Sequence, residues 1–307
     1  MRRSSKKPGG KPAPRKGKTD FIRNYRPEKE STLMDFLIET LKDKSRTTIK
    51  SLLAHRQVAI NGRPVTQFDT PVHTSDEISV NFDRPFNVFR HPMLRIVFED
   101  DYLIVVDKAA GLLSMGTDRD KDKTAYRILS DYVKRGDLRN KIFIVHRLDR
   151  ETSGLLMFAK TPMAQTRLQA DWDNAVLDRR YLAVVEGTPE KPSGELRSYL
   201  AENSAMHVYS TDPEHGKLAV TRYNVLQTKG KFSLVELELL TGRKNQIRVH
   251  MTEFGHPIAG DKKYGAQSNP GRRMMLHACK LQFVHPMTRE NMLFETPVPA
   301  KFKLVMG

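Results

Sequence analysis

Cysteine is nearly absent: Cys279 is the one such residue among 307. A lone thiol forms no intrachain disulfide and offers no cysteine pair to a structural zinc, which points to a reducing compartment. Long apolar runs are missing too. No stretch approaches the roughly 20 residues of a membrane helix, so no membrane partner is expected. The opening MRRSSKKPGGKPAPRKGK is positive without an apolar segment behind it and does not read as a secretory signal. Hydrophobic residues still make up 38%, which excludes collagen-like, mucin-like and fully disordered classes. Acidic residues are the other shortage, 36 against 52 Lys and Arg, for a formal net charge of +16. That excess points to a polyanion, a nucleic acid first of all.

The charge is unevenly spread. Residues 1–30 hold eleven Lys/Arg against Asp20, Glu28 and Glu30, half of the net charge. Rich in Pro, Gly and Ser, they are expected to form a disordered basic tail. Residues 31–88 look like a small α/β module. Ser31 or Thr32 can cap a helix carrying Leu33, Phe36, Leu37 and Leu41, and Ser45 precedes a second with Ile49, Leu52 and Leu53. Val58–Ile60, the turn Asn61-Gly62 and Arg63–Val65 read as a hairpin, with Asp76–Val80 as a closing strand.

Residues 89–307 form the larger domain, read as strands with occasional helices. Strands are expected near 94–99, 103–107, 142–146, 155–160, 181–186, 219–226, 232–240, 281–284 and 292–295, with a helix over 162–172. Hairpins outnumber βαβ units. The fold class is therefore α+β, a mixed, largely antiparallel sheet with packed helices. Between two strands lies His146-Arg147-Leu148-Asp149-Arg150-Glu151-Thr152-Ser153-Gly154. One carboxylate flanked by two guanidinium groups is available as a nucleophile or base, although a surface salt bridge needs the same residues. Gly154 would allow a sharp turn. His146, His250 and His256 suit structural hydrogen bonds, and Leu155 and Leu156 suit the core. There is no P-loop, no dinucleotide glycine fingerprint and no metal-ligand spacing, so neither cofactor nor metal is expected.

Two resemblances give these segments a function. FLIETLKDKSRTTIKSLLAHRQVAINGRPV followed by DEISV resembles the S4-like RNA-binding domain, with His55-Arg56 where that family usually has Gly. It implies RNA contacts from Lys44, Arg46, Lys50, Arg56 and Arg63. HRLDRETSGLLMFAK resembles the signature loop of the RluA-type RNA pseudouridine synthases. IVVDKAAGLL, RYLAVVEG, LTGRKNQIRVHMTEFGHPIAGDKKYG and LHACKLQFVHPMTRENMLFETPVP agree with that family in order. The resemblance implies that Asp149 is the nucleophile, that Tyr181 stacks beneath a flipped uracil, and that Arg248 pairs with Asp149. Arg147 and Arg150 would contact RNA. Asn245 stands where many members have His.

The implied activity is an isomerase converting specific uridines of structured RNA to pseudouridine without a cofactor. Ribosomal RNA of the large subunit is the expected substrate, with transfer RNA as the alternative, in a monomeric cytoplasmic protein. Two rival readings remain: a retaining glycosidase pairing Asp149 with Glu151, and a noncatalytic ribosome-assembly factor. The first places its carboxyls two residues apart, where they tend to point to opposite sides. The second predicts loss of Asp149, Tyr181 or Arg248, and all three are present.

Overall fold

The structure is a computed structural model describing residues 22–83, 85–86, 89–116, 120 and 122–307. Most of the expected basic tail, residues 1–21, lies outside the described residues. The chain divides into two units, with the boundary between residues 88 and 89.

The first unit runs β1 (Ile22–Tyr25), β2 (Ser31–Thr32), α1 (Leu33–Thr40), α2 (Arg46–Ala54), β3 (Val58–Ile60), β4 (Arg63–Pro64), β5 (Pro71–Val72) and β6 (Ile78–Asn81). One sheet has the order β1-β6-β3-β4, and β2 pairs with β5. Thr32 caps α1 by accepting from Asp35 N at 3.3 Å, and Ser45 caps α2 by accepting from Thr48 N at 3.2 Å. Each cap contributes about 1 kcal/mol. Leu33, Phe36 and Leu37 of α1 meet Ile49, Leu52 and Leu53 of α2 over Val58, Ile78 and Val80. Asn61 and Gly62 take φ 49° and 74°, as a two-residue hairpin turn requires. Arg56 adopts φ 57° after α2, so a side-chain-bearing residue fills a left-handed position that favours glycine.

One boundary needs correction. Residues 22–25, expected within the tail, form a strand antiparallel to β6, from Ile22↔Asn81 to Tyr25↔Ile78. IRNY carries little apolar alternation of its own. It is ordered by the unpaired backbone groups along that side of β6.

The second unit runs β7 (Leu94–Glu99), β8 (Leu103–Lys108), α3 (Ala125–Gly136), β9 (Phe143–Ile144), β10 (Ser153–Ala159), α4 (Pro162–Ala170), α5 (Trp172–Ala175), β11 (Val176–Glu186), β12 (Ser193–Glu202), β13 (Val208–Thr211), β14 (Lys217–Lys229), β15 (Phe232–Leu239), α6 (Gln246–Glu253), a 3-10 turn (Lys262–Tyr264), β16 (Leu276–Val284), β17 (Asn291–Glu295) and α7 (Ala300–Met306). Its eleven-stranded sheet has the order β13-β12-β14-β15-β11-β16-β10-β8-β7, with β17 on β16 and β9 on β10. β10 and β16 pair in parallel and the other strand pairs of this sheet among the described residues are antiparallel, so the sheet is mixed and largely antiparallel as expected.

Both faces of the sheet are covered, which follows from the two-residue period of a strand. Ile104, Val106, Leu156 and Phe158 pack under Ala125, Leu129 and Val133 of α3. Their neighbours Leu103, Val105, Leu155 and Met157 pack under Ala164 and Leu168 of α4 on the other face. Along β11, Ala183 and Val185 face α6, while Leu182 and Val184 face α7. Tyr181 shares the face of α3 and α6. The helix expected over 162–172 breaks at Asp171, whose φ −137° and ψ 46° are not helical. Asn174 Nδ2 donates to Asp171 Oδ1 at 2.6 Å, the local side-chain bonding with which Asp and Asn compete against helix.

Candidate active site

Asp149 sits on the loop joining β9 to β10, and that loop is tied down from the end of β8. Lys108 is fully buried, and its Nζ donates to Leu112 O at 2.8 Å, Ala109 O at 3.1 Å, and Asp149 O and Arg150 O at 3.3 Å each. Burial pulls its pKa down to about 7. Ser114 Oγ donates to Leu148 O at 2.6 Å and accepts from Leu148 N at 3.0 Å. Gly111 N donates to Arg150 O at 2.8 Å. The Asp149 side chain therefore projects from a backbone whose neighbouring carbonyls are already engaged.

Arg248 arrives from α6. Its Nη1 lies 3.2 Å from Asp149 Oδ2, across 99 residues of sequence. Gln246, in the first turn of α6, uses its whole amide: Oε1 accepts from Thr241 Oγ1 and Arg243 N, and Nε2 donates to Val220 O and Thr221 Oγ1. This anchors the start of the helix to β14. Asn245 precedes it at φ 54°, accepting from Arg248 Nη1 at 3.3 Å and donating to Tyr264 Oη at 3.0 Å. Arg248 Nε and Nη2 donate to Asp261 Oδ2 and Oδ1 at 2.7 and 2.8 Å, and its guanidinium carbon lies 4.6 Å from the Tyr264 ring centroid. Burial works against the Arg248 charge; the Asp261 hydrogen bonds and the charges of Asp261 and Asp149 outweigh it and hold its pKa above the ordinary value.

Tyr181 lines the same cleft of about 250 Å³, together with Asp149, Arg147, Leu148, Thr152, Leu276 and residues 242–248. Burial pushes its phenol up to about 12, with the Asp149 charge adding to the effect, so the ring is neutral at physiological pH. The structure thus brings Asp149, Tyr181 and Arg248 together from a loop, a strand and a helix. Arg147 is exposed on the rim, but Arg150 turns to Asp120. The cation beside Asp149 is Arg248, not the adjacent arginines of the loop. Adjacent side chains on an extended loop diverge, whereas the fold brings α6 to the cleft. Glu151 does not line the cleft, which removes the carboxylate pair of the glycosidase reading.

The histidines have structural partners. His146 accepts from Met157 N at 3.0 Å, and burial pulls its pKa down to about 3. His250 bonds Ser198 and Thr221, and His256 the carbonyl of Glu186. Leu155 and Leu156 lie in the core. In the first unit, Lys44, Arg46, Lys50, Arg56 and Arg63 are all exposed, with Lys44 paired to Asp43 at 3.1 Å. Sequence reasoning missed Lys108, Asp261 and Tyr264. Lys108, closing the strand LIVVDK after Asp107, was the one available signal.

A partly exposed carboxylate, a held guanidinium and a neutral phenol share one cleft of a basic α+β protein, and these are groups that nucleophilic or proton-transfer chemistry can use. Residues 102–253, which contain all three groups, match the family model described as RNA pseudouridylate synthase. The chain is 31% identical over 272 residues to the uncharacterized RNA pseudouridine synthase YhcT of Bacillus subtilis, covering 87% of this chain and 90% of that one. It is 33% identical over 281 residues to ribosomal large subunit pseudouridine synthase D of Zymomonas mobilis, covering 85% and 88%. The solved structure of human RNA pseudouridylate synthase domain containing 1 superposes with a TM-score of 0.55 at 26% identity, covering 69% of this chain and 86% of that one. The chain belongs to the RNA pseudouridine synthase family and is an isomerase acting on RNA. Among the described residues no helix is long and apolar enough to cross a membrane.

Proposed function

We propose that Asp149 is the reacting carboxylate, that Arg248 holds it, that Tyr181 forms one wall of the uracil pocket, and that the substrate is large-subunit ribosomal RNA. The observation that carries this reading is the 3.2 Å approach of Arg248 to Asp149 in the cleft that Tyr181 lines. The reaction breaks the bond from sugar C1′ to base N1, and that electron pair leaves with the base. Rotation then presents C5, a C5–C1′ bond forms, C5 loses its proton and N1 gains one. Atoms and charge balance without an external reactant. Asp149 assists by bonding to carbon or by taking a proton. The phenol of Tyr181 packs against the ring and keeps the detached base from diffusing away.

The uridine leaves its stack at a cost of a few kcal/mol, least in loops and bulges. Phosphate contacts offset that cost. We assign them to Arg147 on the cleft rim and to an S4-like first unit carrying Lys44, Arg46, Lys50, Arg56 and Arg63. The relative named for the ribosomal large subunit supports the ribosomal target. Arg150 gives Nη2 to Asp120 and keeps its other donors for phosphate on a side chain that is half exposed. We take the enzyme to be a cytoplasmic monomer; the lone buried cysteine suits the reducing compartment. Pseudouridine mapping of RNA from cells with and without this chain tests the target. Sites lost from large-subunit ribosomal RNA are expected; loss confined to transfer RNA would overturn the assignment.

A further inference from the structure

Arg248 is one cation facing two carboxylates, and the two contacts differ in kind. We propose that Asp261 is the standing counter-ion of Arg248, a positioning residue that keeps the guanidinium in place while Asp149 gives up its charge. This rests on the reading of Asp149 as the reacting carboxylate. The Asp261 contact is a two-bond fork through Nε and Nη2 at 2.7 and 2.8 Å, whereas Asp149 receives only Nη1 at 3.2 Å. The Asp261 side chain is 2% exposed and the Asp149 side chain 31%. One pairing is therefore sealed, and the other opens on the cleft.

The surroundings of Asp261 keep it still. Its N donates to Ile258 O, and its carbonyl accepts from Tyr264 N and Ala266 N. The preceding Gly260 takes φ 84°, and a Cβ there would lie 2.2 Å from Arg273 O, so this turn has no slack. Tyr264 backs the guanidinium, and its hydroxyl accepts from Asn245 Nδ2 and from Val208 N at 3.2 Å.

The charge count gives the device its purpose. Whether Asp149 bonds to carbon or takes a proton, it loses its negative charge for part of the cycle. An Arg248 paired with Asp149 alone would then be a nearly buried, uncompensated cation, which is strongly unfavourable. It would also follow Asp149 and embrace it with both nitrogens, opposing the reaction. With Asp261 in place, Arg248 remains paired throughout, and Asp149 is free to leave and return.

The test uses the full chain. Its activity probe is tritium release from 5-tritiated uridine in RNA isolated from cells lacking this protein. Asp261→Asn keeps size but loses the charge and one acceptor. Its kcat is expected to fall about 100-fold with KM changed less than about twofold. The Arg248 Nε–H signal, followed by 15N NMR, should persist in Asp149→Asn and broaden or vanish in Asp261→Asn. Thermal unfolding supplies the opposing sign: Asp261→Asn lowers Tm in the wild type and raises it in an Arg248→Met background, where Asp261 is a buried charge without its partner. A fall in Tm in both backgrounds, or an unchanged kcat, would overturn the proposal. Full kcat in Asp149→Asn would instead overturn the reading of Asp149, and the Nε–H signal would still decide whether Asp261 holds the guanidinium.

Discussion

At the residue scale, Asp149 was legible because a nine-residue loop, HRLDRETSG, identifies it by resemblance. Its partner was legible only in that way, since nothing in the spacing of residues 149 and 248 announces a contact. The arginines next to Asp149 were the tempting partners, and Arg150 proves to serve Asp120 instead. Asp261 was hidden for a different reason. In GHPIAGDKKYG it reads as a turn residue, and its burial depends on the whole turn closing over Arg248. The geometry of Arg248 leads to one prediction. Lysine keeps the charge but presents a point donor in place of a planar fork, so Arg248→Lys cannot span both carboxylates. Its kcat should fall about 100-fold with KM little changed, as read by tritium release. A kcat near that of the wild type would remove the need for the fork. Lys108 yields a second prediction. In Lys108→Met four carbonyls lose a shared donor, at a cost of about 1–3 kcal/mol in urea unfolding.

At the element scale, the strands flanking the Asp149 loop were readable from apolar residues, and their partners were not. β10 lies between β8 and β16, and Gly154 marks the crowded point: φ is 112°, and a Cβ would fall 2.1 Å from Ala278 O. The sequence suggested a turn at this glycine; the fold uses it for close approach of two parallel strands. Gly154→Ala should destabilise the protein by more than about 4 kcal/mol, an exceptional value for a single methyl. A loss within the common range would show that the strands yield easily. The helix α3 repeats Ala125, Leu129 and Val133 every four residues, yet the charged stretch DRDKDK before it masks the start. β12 and β13 escaped because each buries only one residue, Leu200 and Val208, and shows little alternation.

The same junction predicts an acid response. His277 bonds Ser153 at 2.8 Å and Thr296 at 2.8 Å, and burial pulls its pKa down to about 4. The unfolded chain takes up a proton near pH 6.5 that the folded chain refuses until about 4. The stability contribution of neutral His277 is thus complete above pH 6.5 and declines as pH falls toward 4, by about 1.4 kcal/mol per unit. His277→Gln should lose less stability than the wild type between pH 7 and pH 5 in urea unfolding. Equal losses would contradict the buried neutral imidazole.

At the scale of the whole molecule, the net charge of +16 is the feature that pointed to RNA before any motif did. The corrected boundary leaves +7 in residues 1–21 and +9 in residues 22–307, so the folded part is basic in its own right. Charge alone does not distinguish a substrate from a partner; membership of a family of RNA isomerases does. If the first unit contacts phosphates, replacing Arg46, Lys50, Arg56 and Arg63 together by Glu should weaken RNA binding. The slope of log K against log salt should flatten by about 3, at roughly 0.7 per lost single-strand contact. These side chains are exposed, so Tm should hold. The most direct measurement of the central claim is a comparison of wild type with Asp149→Asn, the purified full chains acting on RNA from cells lacking the protein, read by a pseudouridine map. New pseudouridines with the wild type and none with Asp149→Asn are predicted. The same pseudouridines appearing with Asp149→Asn would contradict the account.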